Sequence, residues 1–557
     1  MKVQIQNITP KTLFKIVFAV YLLLGMHYNT DHLGGYGLYL PFNTVGWIFI
    51  SLLIGIGCWQ IRNSGEIIFS RFQILCWIGI GLMCLPLIYP NNENAALAHQ
   101  RILGIAGGIT VFFSFQQFRF SREERNWFLY IILGGILIQA FYGLSQHFLP
   151  LESWFGISVD RTFGVLMQKN VMATFLVTGA AISLYLLMKD KAIKEHKIKI
   201  WFIYSIPLLT SILYLPLQSR TGYLTFTLAI GFISILGYKK KKQLITWLGL
   251  AIIGLFIGAY TPYIQRTEQN LSGAANFRKV CYQITFELCQ ENPIIGVGYG
   301  SYFSSFRHYY AQRISEDPSI FAGTGNIDHP HNETLFWMVE GGIAPLIGLL
   351  IIAGGFLIMI WRAKSPDPWA AAGLVLPILI HTQLELPFYL SLIHWFLFLF
   401  LLYYIDEEFG QKMMKKMPLK IFPAIVAILI PSITILYLIT VLQTGYVITK
   451  YERSRFKDHN FLLSAWNPKS WHKKYETIVM KLHLDIAMKT KNSEGFQDYI
   501  QWAEGYVKHS PYPFIYYDLA KAYEAIGDME KAWEVYNKAK YLFPNVPWQD
   551  KPEPSAE

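Results

Sequence analysis

The apolar residues of this chain come in blocks of roughly 17–25, the length that crosses a hydrocarbon core as an α-helix. Lipid offers no partner to a bare peptide group, so only closed helices or closed barrels satisfy the backbone there, and blocks of this kind mean helices. About thirteen stand out, near 12–27, 43–61, 72–90, 97–118, 126–148, 170–188, 200–217, 221–238, 243–260, 333–361, 369–386, 388–405 and 420–443. Composition agrees: 53% of the 557 residues are hydrophobic and 15% charged, which excludes an ordinary soluble enzyme. The expected fold class is all-α, a polytopic membrane helix bundle of about thirteen transmembrane helices with a soluble helical tail at the C-terminus.

Orientation follows from basic residues in the short loops. Clusters at Lys2/Lys11/Lys15, Arg119/Arg122/Arg125, Lys189 to Lys199, Lys239 to Lys242 and Lys412 to Lys420 all fall on one side, which is read as the cytoplasm. The net charge of +11 is then mostly a topology signal, and no nucleic-acid partner is expected. The first block lacks a small-residue cleavage site and is read as a retained helix. Segments 28–42, 149–169, 261–332 and 444–557 fall on the other side. Cys58, Cys76, Cys84, Cys281 and Cys289 form no metal or redox pattern and read as buried small apolar residues.

Three parts are expected: a membrane domain over 1–443, an external segment at 261–332 within it, and a helical domain over 444–557. In the last, Phe514 to Tyr523, Gly527-Asp528, Lys531-Ala532, Tyr536, Ala539 and Pro544 read as a helix-turn-helix resembling one tetratricopeptide repeat. A single repeat cannot bury its own face, so residues 470–510 are expected to supply preceding helices. Its role is read as interaction or structural support.

The polar residues that stand out gather at block ends. His329-Pro330-His331-Asn332-Glu333 closes the external segment directly before an apolar run. Two readings fit it: Asn332 caps a helix with the histidines merely interfacial, or the imidazoles form part of a site. Arg161 precedes a span, and Arg220 sits in Gln218-Ser219-Arg220-Thr221-Gly222 with almost no loop around it. An arginine so near the hydrocarbon edge needs a partner. A carboxylate or headgroup would serve. Alternatively Arg161, Arg220, Arg266 and Arg278 converge on the phosphates of a lipid-linked substrate, since guanidinium meets phosphate oxygens bidentately. His381 and Glu385, one turn apart, precede Pro387 and Tyr389. This group is either a polar helix end or a support for an external arginine and a phosphate. The glycines of Asn292-Pro293-Ile294-Ile295-Gly296-Val297-Gly298-Tyr299-Gly300 lack a phosphate loop's lysine and preceding strand, so they read as a sharp turn.

Taken in order, these motifs resemble the bacterial O-antigen ligases and related enzymes. His329-Pro330-His331-Asn332-Glu333 with Glu340-Gly341-Gly342-Ile343 carries the likeness, together with Arg278, the Asn292 to Gly300 run and Ser219-Arg220-Thr221-Gly222. Gln168 with Asn170, the His381 to Pro387 group and the helical tail look more like the protein O-oligosaccharyltransferase (pilin glycosylation) branch. The likeness covers roughly 155–405, and Lys169 departs from the expected proline or small residue. It implies an inner-membrane enzyme working at the periplasmic face. The donor would be a preassembled glycan on undecaprenyl diphosphate, and the acceptor a Ser or Thr hydroxyl of an exported protein such as a pilin. No metal or other cofactor is implied. His331 would be the general base, since imidazole titrates nearest neutrality, while Arg220 and Arg278 bind the diphosphate. Arg161, Gln168, Asn170 and Arg266 would position donor or carrier, with Glu385 and Tyr389 supporting the pocket and His329 and Glu333 structural. An O-antigen ligase acting on lipid A-core, an O-antigen polymerase and, from another class, a multi-span transporter are the alternatives. Ionisable groups at the external boundary rather than the midplane speak against the transporter.

Overall fold

A computed structural model describes residues 8–149, 163–191, 193, 196–261, 268–320, 327–544 and 546–548. It is all-α apart from one two-stranded sheet, and eleven of the described helices are long and apolar enough to cross a membrane. The chain forms two compact units, Met1–Gly79 with Leu103–Gln265 and Leu350–Trp466, and Ile80–Ile102 with Arg266–Leu349 and Asn467–Glu557. Three of the expected blocks are built differently from single spans. The 333–361 block is two helices, Glu333–Gly341 and Ile343–Arg362, because Gly342 takes a φ of +68° between them. The 369–386 block is split into Asp367–Ala372 and Leu376–Thr382, with Pro377 in the first turn of the second. Pro387 then starts another short turn, and Leu392–Phe409 ends on Asp406, Glu407 and Glu408.

The first unit is organised around Lys169–Lys189, whose residues Val171 to Met188 are all buried. Burial of a helix on every side is what an all-apolar sequence requires, and here the helices before and after it, Arg122–Phe148, Lys197–Leu217 and Arg220–Ser234, pack against it. Helix Arg122–Phe148 opens on a capping box, Ser121 Oγ accepting from the Glu124 N–H while the Glu124 carboxylate accepts from the Ser121 N–H. The basic clusters find acids in neighbouring loops: Lys11 with Glu124 at 2.6 Å, Arg119 with Glu66 at 2.7 Å, Arg125 with Glu408 at 2.6 Å and Lys189 with Asp367 at 2.6 Å. Strand Glu66–Ser70 pairs antiparallel with Lys412–Lys416, Ile68 facing Met414, which ties the second and last connecting segments of this group together.

In the second unit the glycine run has a packing explanation. Val297 and Gly298 donate their N–H groups to the carbonyls of Val339 and Glu340, at 2.8 and 3.0 Å. Gly296, Gly298 and Gly300 all have positive φ, and a Cβ on Gly298 would lie 2.2 Å from the Asn91 carbonyl oxygen. The run is a backbone-to-backbone turn, as the sequence suggests. Cys281 and Cys289 are free and buried with Val280, Ile284 and Leu288. The tail consists of two helical hairpins, His472–Thr490 with Ser493–His509 and Pro513–Ala525 with Met529–Leu542, turning at Gly527 with φ +87°. Ala520, Ala532 and Ala539 are buried between helices. The hairpins begin 41 residues apart, against about 34 for a tetratricopeptide repeat, so helix-turn-helix is the description the geometry carries. The tail grips helix Tyr302–Glu316: Phe303 meets Tyr512 at 5.0 Å between ring centroids, and buried Arg307 stacks on Phe543 at 4.7 Å.

Candidate active site

Each unit holds one group of the residues singled out above. Arg161 and Arg266 lie outside the described residues.

In the first unit the group is built on the N-terminal end of Lys169–Lys189. Gln168 is its N-cap residue, and its Oε1 is buried without a hydrogen-bond partner among the described residues. Asn170 accepts from Ser219 Oγ at 2.8 Å through Oδ1, while its Nδ2 reaches Glu385 Oε2 at 3.5 Å. Ser219 also caps helix Arg220–Ser234, accepting from the Gly222 N–H at 3.0 Å. Gly222 is needed because a Cβ there would lie 2.8 Å from Ala173, so the motif's glycine lets two helices close and its serine reach Asn170. Arg220, next in sequence, is exposed and forms no ion pair among the described residues. The structure thus brings Asn170, Ser219 and Glu385 together and leaves the Arg220 guanidinium open to solvent.

Below them lies a buried polar chain that sequence reading identified only in part. Thr174 Oγ1 lies 2.8 Å from His381 Nδ1 and 3.2 Å from His394 Nε2, and His394 Nδ1 lies 2.9 Å from Ser391 Oγ. His381 and His394 are fully buried, and the Tyr389 hydroxyl is also shielded from solvent. Asn43 stitches the break that carries Tyr389, donating to the Leu390 carbonyl and accepting from the Leu392 N–H.

In the second unit the His-Pro-His-Asn-Glu segment is built around a helix cap. Asn332 caps helix Glu333–Gly341, its Oδ1 accepting from the Leu335 N–H at 2.9 Å. His331, immediately before the cap, has a left-handed backbone with φ +54°. It is clamped there: its N–H donates to His329 Nδ1 at 3.2 Å, and its carbonyl accepts from the Tyr282 hydroxyl at 3.2 Å. Its ring stacks edge-on with His329 and with Phe277, at 4.4 and 6.1 Å between centroids. Phe277 and Tyr282 belong to helix Glu268–Glu291, and Arg278 sits beside the first and one turn before the second. His331 thus packs on the helix that carries Arg278.

Glu333 opens the helix that Asn332 caps. Its Oε1 accepts from the Trp337 indole N–H at 2.9 Å, but Oε2 is shielded and has no partner among the described residues. Burial pushes this carboxyl up to about 7, against the opposite pulls of the Trp337 N–H and the Arg101 guanidinium. Arg101 itself was missed. It pairs with Glu340 and lies 4.3–4.9 Å from the ring centroids of Tyr299, Phe336 and Trp337. The signal was present, since Arg101 is the one Lys, Arg, Asp or Glu in the 97–118 block, and a charge inside such a block marks a buried partner. Lys473, from the tail, was also missed. Burial lowers its ammonium, while the carboxylates of Asp328 and Glu340 act in the other direction.

Two family models match this chain. Residues 205–353 match the family model described as O-Antigen ligase, and residues 369–552 that described as Virulence factor membrane-bound polymerase, C-terminal. The General O-oligosaccharyltransferase of Acinetobacter baylyi (strain ATCC 33305 / BD413 / ADP1) is 23% identical over 353 residues, an alignment covering 55% of this chain and 57% of that protein. The chain therefore matches less than two thirds of that relative's length. Eleven membrane-length helices among the described residues mark a multi-pass membrane protein, and these matches make it similar to the O-antigen ligases and the O-oligosaccharyltransferases.

Proposed function

We propose that this protein is an oligosaccharyltransferase of the bacterial inner membrane, active at the periplasmic face. It transfers a preassembled glycan from undecaprenyl diphosphate to a Ser or Thr hydroxyl of an exported protein such as a pilin. What supports this reading is the clamped His331, an imidazole held directly before a helix cap and packed on helix Glu268–Glu291, the helix that carries Arg278. In the reaction the acceptor oxygen attacks the anomeric carbon with inversion and His331 takes the hydroxyl proton. The bond to the diphosphate oxygen breaks, its electron pair leaving with the diphosphate. Pyrophosphate is already a good leaving group, so the protein's task is to hold its charge, supply a base and align the reactants. Arg278, on the helix against which His331 packs, takes diphosphate charge in this scheme. In the first unit, Gln168, whose buried Oε1 has no hydrogen-bond partner among the described residues, and Asn170 are assigned to positioning the donor, with Glu385 and Tyr389 supporting them.

A second reading has one observation of its own. The model matched by residues 369–552 is described as a polymerase, which favours a glycan rather than a protein as acceptor. Reconstitution of the purified chain with lipid-linked glycan separates the two. A purified pilin, lipid A-core and free lipid-linked glycan are offered in parallel. Mass gain on the pilin is expected; gain only on lipid A-core or on the glycan would overturn the protein-acceptor assignment.

A further inference from the structure

The last helix of the first unit is longer than a membrane needs. Ile421–Arg453 has 33 residues, about 50 Å at 1.5 Å per residue, against about 30 Å of hydrocarbon. Its neighbour Pro41–Ser64 fixes where the boundary falls. Gly65 meets Lys420, and Gly55 meets Ala427 and Pro431, so the two helices run antiparallel and Pro41 stands level with Thr444. Gln443 therefore sits at the far edge of the hydrocarbon and the last ten residues of the helix rise beyond it.

The chain does not continue outward from Arg453. Arg455 and Phe456 both take left-handed φ, +58° and +61°, and the Phe456 N–H returns to the Tyr451 carbonyl at 3.1 Å. The Tyr451 hydroxyl lies 2.9 Å from His459 Nδ1, holding the reversed strand against the helix. The carboxamide of Gln443 then captures the descending chain from both sides. Its Nε2 donates to the Ser464 carbonyl at 2.9 Å and its Oε1 accepts from the Trp466 N–H at 2.8 Å. A side chain at the membrane boundary has pulled residues 464–466 back to its own level.

What that return delivers is apolar. Leu462 is buried under the turn, whereas Leu463 is 73% and Trp466 66% exposed. Tyr446, just above Gln443, is 54% exposed. Exposed Arg455 and Lys457 stand higher on the same loop. Tryptophan and tyrosine with an apolar body and a polar edge are favoured at headgroup level, and basic groups above them suit lipid phosphates.

We infer that the Leu463–Trp466 corner is an interfacial anchor seated in the bilayer, clamped at headgroup depth by Gln443. It holds the chain at the membrane surface where the tail sequence begins at Asn467. The inference stands apart from the transfer reaction, and its test requires no activity.

The test uses the full chain in nanodiscs of phosphatidylethanolamine and phosphatidylglycerol, with Cys84→Ser as background because the other four cysteines are buried. Nitroxide labels at Leu463→Cys, Ser464→Cys and Lys457→Cys are compared by their collisions with oxygen, which enriches in lipid, and with a water-soluble nickel chelate. Positions 463 and 464 should favour oxygen at least threefold over position 457, and Trp466→Ser added to Leu463→Cys should shift that label toward the nickel chelate. Equal nickel accessibility at 457, 463 and 464 would overturn the anchor. Exclusion of both reagents at 463 would also overturn it, since a protein surface would then be the occupant.

Discussion

A histidine held at φ +54° carries backbone strain that only its surroundings sustain, of order 1 kcal/mol or more. Its replacement must respect that conformation, or loss of activity will report a refolded loop. Asparagine tolerates the left-handed region and carries no base. The expected outcome for His331→Asn is an unchanged thermal midpoint with transfer reduced about 10²–10⁴-fold, measured as pilin mass gain over time. Glu333 poses a separate question of pH. Its carboxyl is raised from an ordinary 4.5 to about 7, so the folded state holds a proton there that the unfolded chain releases. Stability from this group is fully present below about 4.5 and is lost as pH rises through 7. Glu333→Gln fixes the neutral form. Thermal midpoints in detergent between pH 4.5 and 8 should fall with rising pH for the native chain relative to the variant, and parallel curves would refute this.

At the level of elements, the turn at 296–300 and the helix that follows His331 are one construction. The N–H groups of Val297 and Gly298 cap the peptide carbonyls of Val339 and Glu340, and Gly298 has no room for a side chain. Gly298→Ala should cost more than about 1 kcal/mol, because φ +94° and a carbonyl at 2.2 Å oppose the same methyl group. Denaturant midpoints would show it, with Gly231→Ala, which meets nothing within 4 Å, as the unstrained control. Legibility of the elements from sequence followed the physics of each. Block length and basic loops sufficed for continuous helices such as Lys169–Lys189, because lipid leaves the backbone no alternative. The 369–386 block was misjudged because apolar content does not distinguish a straight helix from a broken one. Pro377 and Pro387, which mark the breaks, are also tolerated in unbroken membrane helices such as Lys197–Leu217, which contains Pro207 and Pro216. The candidate site was legible where a polar residue stood at a block end, as with Asn170, Glu385 and His331. Pairings such as Ser219 with Asn170 and Arg101 with Glu340 join positions 49 and 239 residues apart, which no local pattern encodes.

For the whole molecule, the ion pairs made by Lys11, Arg119, Arg125 and Lys189 of the basic clusters agree with those clusters lying on one face. Cysteine placed in that set, Lys241→Cys, should react with an impermeant maleimide only in permeabilised cells. Lys457→Cys and Lys531→Cys should react in spheroplasts. Labelling of position 241 from outside would invert the orientation.

The small sheet imposes an order on biogenesis. Ile68 pairs with Met414, 346 positions later, and at roughly 5–20 residues per second the ribosome needs about 17–70 s to make the second strand after the first. Until then the segment Glu66–Ser70 waits with its ladder of N–H and C=O groups open. The membrane unit therefore cannot close until nearly all of its helices have left the translocon, and a chain stalled before residue 412 would keep a strand edge exposed for aggregation or for proteolytic surveillance.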